Sequence, residues 1–195
     1  MTKTDDAALG RLFHEARTFS RWQVREVPDA LIESALAMAL LGPTSGNCEP
    51  MRLVLVKSAE GKERLLRCVS SGNSEKVRTA PVTAIIAYDT LFYDHLPRLF
   101  PHTDARGWFT SNEALATETA FRNSSLQGAY FILALRAHGL DCGPMSGFNN
   151  AAVDAAFFPN GQYKSNFLLN IGYGDNTALH PRPPRLALDE VARWV

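Results

Sequence analysis

The sequence predicts one globular domain mixing helices and strands, and three observations carry that reading. The chain has 195 residues, a length typical of a single domain, so 1–195 is read as one unit. Its composition, 46% hydrophobic and 21% charged, suits a chain that buries a core. Short apolar runs at 53–56, 82–88 and 166–173 are interspersed with stretches whose apolar residues recur every three to four positions.

Charge and cysteine usage narrow the class. Twenty basic and twenty acidic residues give a net charge of zero with no long block of either sign, which argues against nucleic acid as a partner. No apolar run reaches the roughly 18 residues of a membrane span. The opening stretch, MTKTDDAALG, is polar and lacks the apolar centre of a signal peptide. Cys48, Cys68 and Cys142 are scattered, with neither metal spacing nor a disulfide framework. A cytoplasmic protein without a metal is expected.

Taken in order, Leu9, Leu12, Phe13 and Ala16 mark a first amphipathic helix over 6–16. It runs into Arg17-Thr18-Phe19-Ser20-Arg21, where guanidinium forks flank hydroxyls; that suits a phosphate or carboxylate, or else a solvated helix end. Asp29 is the expected N-cap of a second helix, stopped by Gly42-Pro43. The connection Pro43-Thr44-Ser45-Gly46-Asn47 is rich in donors and leads through Glu49-Pro50 into a strand. Ser58 caps a short helix, and Ser70 to Asn73 reads as a turn, with Lys76 on the same face as Asn73. The run Val82–Tyr88 is apolar enough for a central strand.

Residues 89–111 carry Phe92, Tyr93, Phe100, Trp108 and Phe109 without a period, as a binding loop or an irregular wall would. A long helix spans 112–138 and ends at Gly139 as C′. Its middle, Arg122, Asn123, Ser124, Ser125 and Gln127, breaks the apolar pattern and requires partners: a neighbouring subunit, buried water or a ligand edge. Cys142 to Phe148 reads as a turn-rich stretch, followed by a helix over 150–157. Pro181, Pro183 and Pro184 make the tail extended, and its apolar end is expected to dock on something, such as a second subunit.

Familiar catalytic patterns are missing: no G-x-S-x-G elbow, no P-loop, no glycine-rich dinucleotide fingerprint. The polar turns offer neutral donors and cations but almost no acids. That inventory suits holding a phosphorylated, amide-rich cofactor.

These turns, in this order, resemble the flavin-binding nitroreductase family. The segments GPTSGNCEP, SSGN, LFPHTDARGWF, ETAFRNSS, GPMSGF and NIGYGD, from Gly42 to Asp175, are similar to its HadB/RutE branch of malonic semialdehyde reductases. Ser146 stands where the family often has glutamate, and Met51 where it often has an aromatic residue. The resemblance implies an α+β, nitroreductase-like fold, a mixed, mainly antiparallel sheet flanked by helices. It also implies a homodimer with FMN at two interfacial sites, the 175–195 tail packing on the partner subunit.

On that model Arg17, Thr18, Ser20 and Arg185 hold the phosphate and ribityl chain, and Arg182, with Arg185, matches the family's cofactor-binding terminal basic residues. Asn73 and Lys76 meet the pyrimidine edge, with Lys76 as electrostatic support. Pro144, Met145, Ser146 and Gly147 lie behind the ring, and Pro43, Thr44, Ser45 and Asn47 come from the other subunit. Phe92, Tyr93, Trp108 and Phe109 wall the substrate pocket, and Arg106 or Arg122 meets a substrate carboxylate. The implied reaction is ping-pong hydride transfer from NADH or NADPH, reducing malonic semialdehyde to 3-hydroxypropionate in pyrimidine degradation. No side chain stands out as the proton donor. A broad nitroaromatic or quinone reductase, and a flavin-binding dimer without turnover, remain as alternatives.

Overall fold

The computed structural model describes residues 4–195; Met1, Thr2 and Lys3, part of the polar opening stretch, lie outside the described residues. The first helix, α1 (Asp6–Leu9), is capped by the Asp5 carboxylate and continues as one wider turn through His14. Helix α2 (Asp29–Ala39) takes Pro28 as N-cap. Asp29 is therefore one position inside the helix and not its cap; its carboxylate meets Lys57 Nζ at 2.9 Å instead. Strand β1 (Met51–Val56) follows, then α3 (Ala59–Leu66), where Ser58 Oγ accepts from Gly61 N. Helix α4 (Ser71–Thr79) begins inside the stretch expected to be a turn, because Ser70 serves as its N-cap residue.

Strand β2 (Val82–Asp89) is central, as its apolar run predicts. The segment after it is not featureless: a short turn of helix (Phe92–His95), α5 (Leu96–Leu99) and α6 (Gly107–Thr110) fold around buried Phe92 and Leu96. Helix α7 (Glu113–Ala137) is capped by Asn112, and Gly139 behind it adopts φ +82°, the left-handed conformation of a helix stop.

The expected turn at Cys142–Phe148 is instead strand β3 (Asp141–Met145) up to Met145. Gly143-Pro144 conceals it, yet β3 is an edge strand, where a proline's missing N–H breaks no ladder. Helix α8 (Asn150–Phe157), strand β4 (Tyr163–Gly172) and a last short helix, α9 (Leu188–Val191), complete the chain.

The four strands run in the order β1-β2-β4-β3, every pairing antiparallel. A single parallel bridge joins Thr18 to Cys142 outside them. One sheet face, with Ala84, Ile86, Leu169 and Ile171, packs on α2 and α7; Phe131 and Leu135 fill that layer. The other, with Ile85 and Leu168, packs on α3, α4 and α8 through Leu65, Val77 and Val153.

The polar middle of α7 finds partners within the chain for all of its buried side-chain groups except Gln127 Nε2. Asn123 Oδ1 accepts from Ser45 N and Gln127 Oε1 from Met51 N, both at 2.9 Å. Asn166 Nδ2 donates to Ser124 and Ser125. Two amides one helical turn apart thus hold both ends of the loop before β1.

On β3, a Cβ at Gly143 would lie 2.3 Å from the carbonyl oxygen of Phe19, a main-chain atom that cannot step aside. Gly143→Ala is expected to lower stability by about 1–3 kcal/mol, the usual result of overpacking. Urea unfolding with an unchanged midpoint would contradict this.

Candidate functional site

Two groups of polar residues, distant in sequence, are each tied to β3. The first surrounds a cleft of about 510 Å³ between the end of the first helical segment and the tail. Arg17, Thr18, Ser20, Arg182 and Arg185 all line it, so the two arginine-bearing stretches face one another. Arg17 donates to His180 O, while Arg182 Nη2 donates to His14 O and Ala16 O, each at 2.8 Å. Arg185 Nη1 donates to Pro183 O at 3.0 Å. A guanidinium carries five donors, so each arginine can fix the walls and still offer N–H groups to a ligand. Arg136, from the last turn of α7, also lines the cleft. Its basic position near a helix end is the sequence signal for it, hidden by the apolar reading of that half of the helix.

The second group lies where β3 ends. Gly147 O accepts from Asn73 Nδ2 at 3.1 Å, Ser70 Oγ at 2.9 Å and Ser70 N at 3.0 Å. Lys76 Nζ donates to Asn73 Oδ1 at 2.9 Å, the shared face expected of that spacing. A Cβ on Gly147 would lie 2.4 Å from Asn73 Nδ2. Pro144 and Met145 belong to the strand, and Ser146 with Gly147 makes the turn that brings the carbonyl to Asn73. The two groups are connected: Phe19 N donates to Cys142 O at 3.0 Å, seating residues 17–20 on the same strand.

Pro43, Thr44, Ser45 and Asn47 sit elsewhere. They lead into β1, the opposite edge of the sheet from β3. Gly46, Asn47 and Glu49 have φ of +55°, +50° and +38°, an unusually left-handed loop. Thr44 Oγ1 accepts from Glu49 N, and Asn47 Nδ2 donates to Leu99 O, tying the loop to α5. Pro43, Ser45 and Asn47 remain exposed.

Within 89–111, Phe92 is fully buried and Phe109 nearly so, and their rings meet edge-to-face at 4.9 Å. Phe92 therefore backs the segment and does not line a pocket. Tyr93 lies parallel to Phe109 at 6.4 Å. Trp108 is half exposed, beside Phe100 and close to Gly46 of the left-handed loop. Arg106 pairs with Asp94 at 2.7 Å and Arg122 with Glu118, both on the surface. Neither is held in a buried anion pocket, and exposed pairs of this kind are worth only about 0–1 kcal/mol.

The Nitroreductase family matches residues 17–173. The chain belongs to the nitroreductase family. A Burkholderia lata relative, named for NADH dehydrogenase/NAD(P)H nitroreductase, is 56% identical over 193 residues, covering 99% of both chains. A Polynucleobacter asymbioticus relative of the same name is 55% identical over 97% of this chain and 96% of its own. Among solved structures, a Bacillus subtilis nitroreductase aligns with TM-score 0.88 at 20% identity, covering 98% of this chain and 100% of that one. An Exiguobacterium sibiricum nitroreductase, solved in complex with FMN, gives TM-score 0.84 at 21% identity, covering 100% and 99%. At such identity the structural matches speak for the fold.

All three cysteines are free and buried. Burial pushes the Cys48 thiol from 9.0 up to about 11 and Cys142 up to about 12. Above about pH 9 the unfolded chain binds fewer protons at these sites than the native one, so stability should fall as pH rises from there through 11. At pH 8 neither thiol is expected to react with a disulfide reagent until the protein unfolds. Rapid labelling of native Cys142 would refute that.

Proposed function

We propose that the chain is an FMN-dependent NAD(P)H oxidoreductase that works as a homodimer, with malonic semialdehyde as acceptor and 3-hydroxypropionate as product. One observation carries the cofactor reading: three guanidinium groups and two hydroxyls from opposite ends of the chain converge on one cleft, joined through β3 to the Asn73–Lys76–Gly147 group. That donor set fits FMN. The cationic cleft suits a phosphate monoester, and the amide and ammonium suit the carbonyl-rich edge of a planar ring. Arg17, Thr18, Ser20, Arg182 and Arg185 would hold the phosphate end, Asn73 and Lys76 the ring edge, with Pro144 to Gly147 behind it.

When bound, FMN supplies a two-electron hydride carrier. Asn73 holds the Lys76 ammonium in place, and that charge would stabilise the negative charge gained on reduction of a bound flavin. Reducing the aldehyde adds a hydride and a proton across its carbonyl and oxidises one NAD(P)H. Neither group contains a carboxylic acid, and water can supply the proton.

The dimer is supported by the separation of Pro43, Thr44, Ser45 and Asn47 from the other groups, and members of the family are typically dimers. Exposed donors on the far edge of the sheet suit a cofactor held across an interface. The tail carries Leu186, Leu188, Val191 and Trp194 uncovered, which suits packing on the partner subunit. The HadB/RutE-type segments support the aldehyde as acceptor. Half-exposed Trp108, with Tyr93 and Phe109 behind it, favours a second reading: a larger nitroaromatic or quinone acceptor, consistent with the relatives' names.

Purified protein given FMN should show flavin absorption and oxidise NAD(P)H in the presence of malonic semialdehyde. Turnover with a nitroaromatic alone would replace the acceptor; flavin binding without turnover would reduce the protein to a binding dimer. Arg185→Ala is expected to weaken FMN binding roughly tenfold or more, the effect of losing a hydrogen bond to a charged group. Fluorescence titration with an unchanged dissociation constant would remove Arg185 from the site.

A further inference from the structure

Asn170 and Thr83 interrupt the apolar stretches of β4 and β2 at the same place. They are Cα partners in the register of β4 and β2, and both are buried. Thr83 Oγ1 donates to Asn170 Oδ1 at 2.7 Å. Two apolar side chains of similar shape would serve stability about as well as this pair. The second half of the Asn170 amide points to another purpose. Its Nδ2 donates to the main-chain carbonyl of Lys76 at 3.1 Å, in the last turns of α4.

That bond fixes α4 on the sheet at the residue that matters for the site. Asn73 and Lys76 project from this helix, and Asn73 reaches Gly147 O. An unbroken series of hydrogen bonds therefore runs from β2 through Asn170 and α4 to the turn after β3. The same row of the sheet continues to Gly143, the β3 partner of Asn170, over which the Phe19 main chain lies. Thr83, Asn170 and Gly143 form one line across three strands. Its middle member, Asn170, holds α4, and its Gly143 end receives the stretch carrying Arg17, Thr18 and Ser20.

We infer that Asn170 is a positioning residue of the cofactor site: it sets the place of Lys76 and Asn73 relative to the arginine cleft. The inference rests on the FMN reading above. A ligand bound at both ends senses any shift between them, so losing the anchor alters both the affinity for FMN and the environment of its ring edge.

The test is the double variant Asn170→Leu with Thr83→Val, which removes both polar partners and leaves no orphan between them. It is expected to fold, to bind FMN about tenfold more weakly, and to shift the midpoint potential and absorption spectrum of the bound flavin. Val153→Ala, a cavity in the same layer on α8, lowers stability but leaves both flavin signatures unchanged. If the double variant does not fold, Asn170→Ser, whose hydroxyl is too short to reach Lys76 O, is read in the same way. Affinity and potential equal to wild type in a folded variant overturn the inference, as does failure of both variants to fold. Absence of FMN binding in the wild type would instead defeat the cofactor reading.

Discussion

The approach of Phe19 to the edge strand governs the geometry on this side of the molecule. Its N–H meets Cys142 O at 3.0 Å, and its carbonyl lies where a Gly143 side chain would be. Main chain on main chain is the closest packing a protein allows, and it leaves little freedom in register. Residues 17–20 are thereby fixed to the same strand whose end delivers Gly147 to Asn73. The ring of Phe19 is equally confined, since it fills the space beside Gly174. Two short polar stretches with no sequence link are both referenced to β3.

The opposite edge of the sheet uses a different solution. The loop before β1 holds three residues in left-handed conformations, two of them not glycine, a backbone that does not persist unaided. Asn123 and Gln127 of α7 hold its ends, Leu99 O takes the Asn47 amide, and Thr44 closes it internally. The buried Gln127 Nε2 has no partner among the described residues, an uncompensated group in an otherwise satisfied layer.

Much of this was legible in the residues, and the gaps have physical causes. Helical periodicity marks α2, α7 and α8, and the continuous apolar run of β2 announces a strand buried on both faces. β3 escapes because its defining property, acceptance of Phe19 and pairing with β4, is tertiary, while Gly143 and Pro144 locally resemble a turn. α4 escapes at its start because Ser70, Ser71, Gly72 and Asn73 are turn formers until Gly147 O gives them something to hold. Only the family likeness brings Arg17 together with Arg182 and Arg185, because no local pattern links residues so far apart; Arg17's bond to His180 alone spans 163 positions. Asn170 looked like a strand residue and nothing more. A lone amide between Leu169 and Ile171 was the signal, and only its partners show its use.

The tail shows how stiffness can substitute for burial. From His180 onward every residue is exposed, so no core holds this segment in shape. Arg182 stands between Pro181 and Pro183, and Arg185 directly follows Pro184. Pyrrolidine rings restrict the backbone before folding as well as after it, so little entropy is lost in presenting the intervening side chains. The segment acts as a rail on which two cations ride at a set spacing, held by proline stiffness and by the Arg182 bonds to His14 O and Ala16 O.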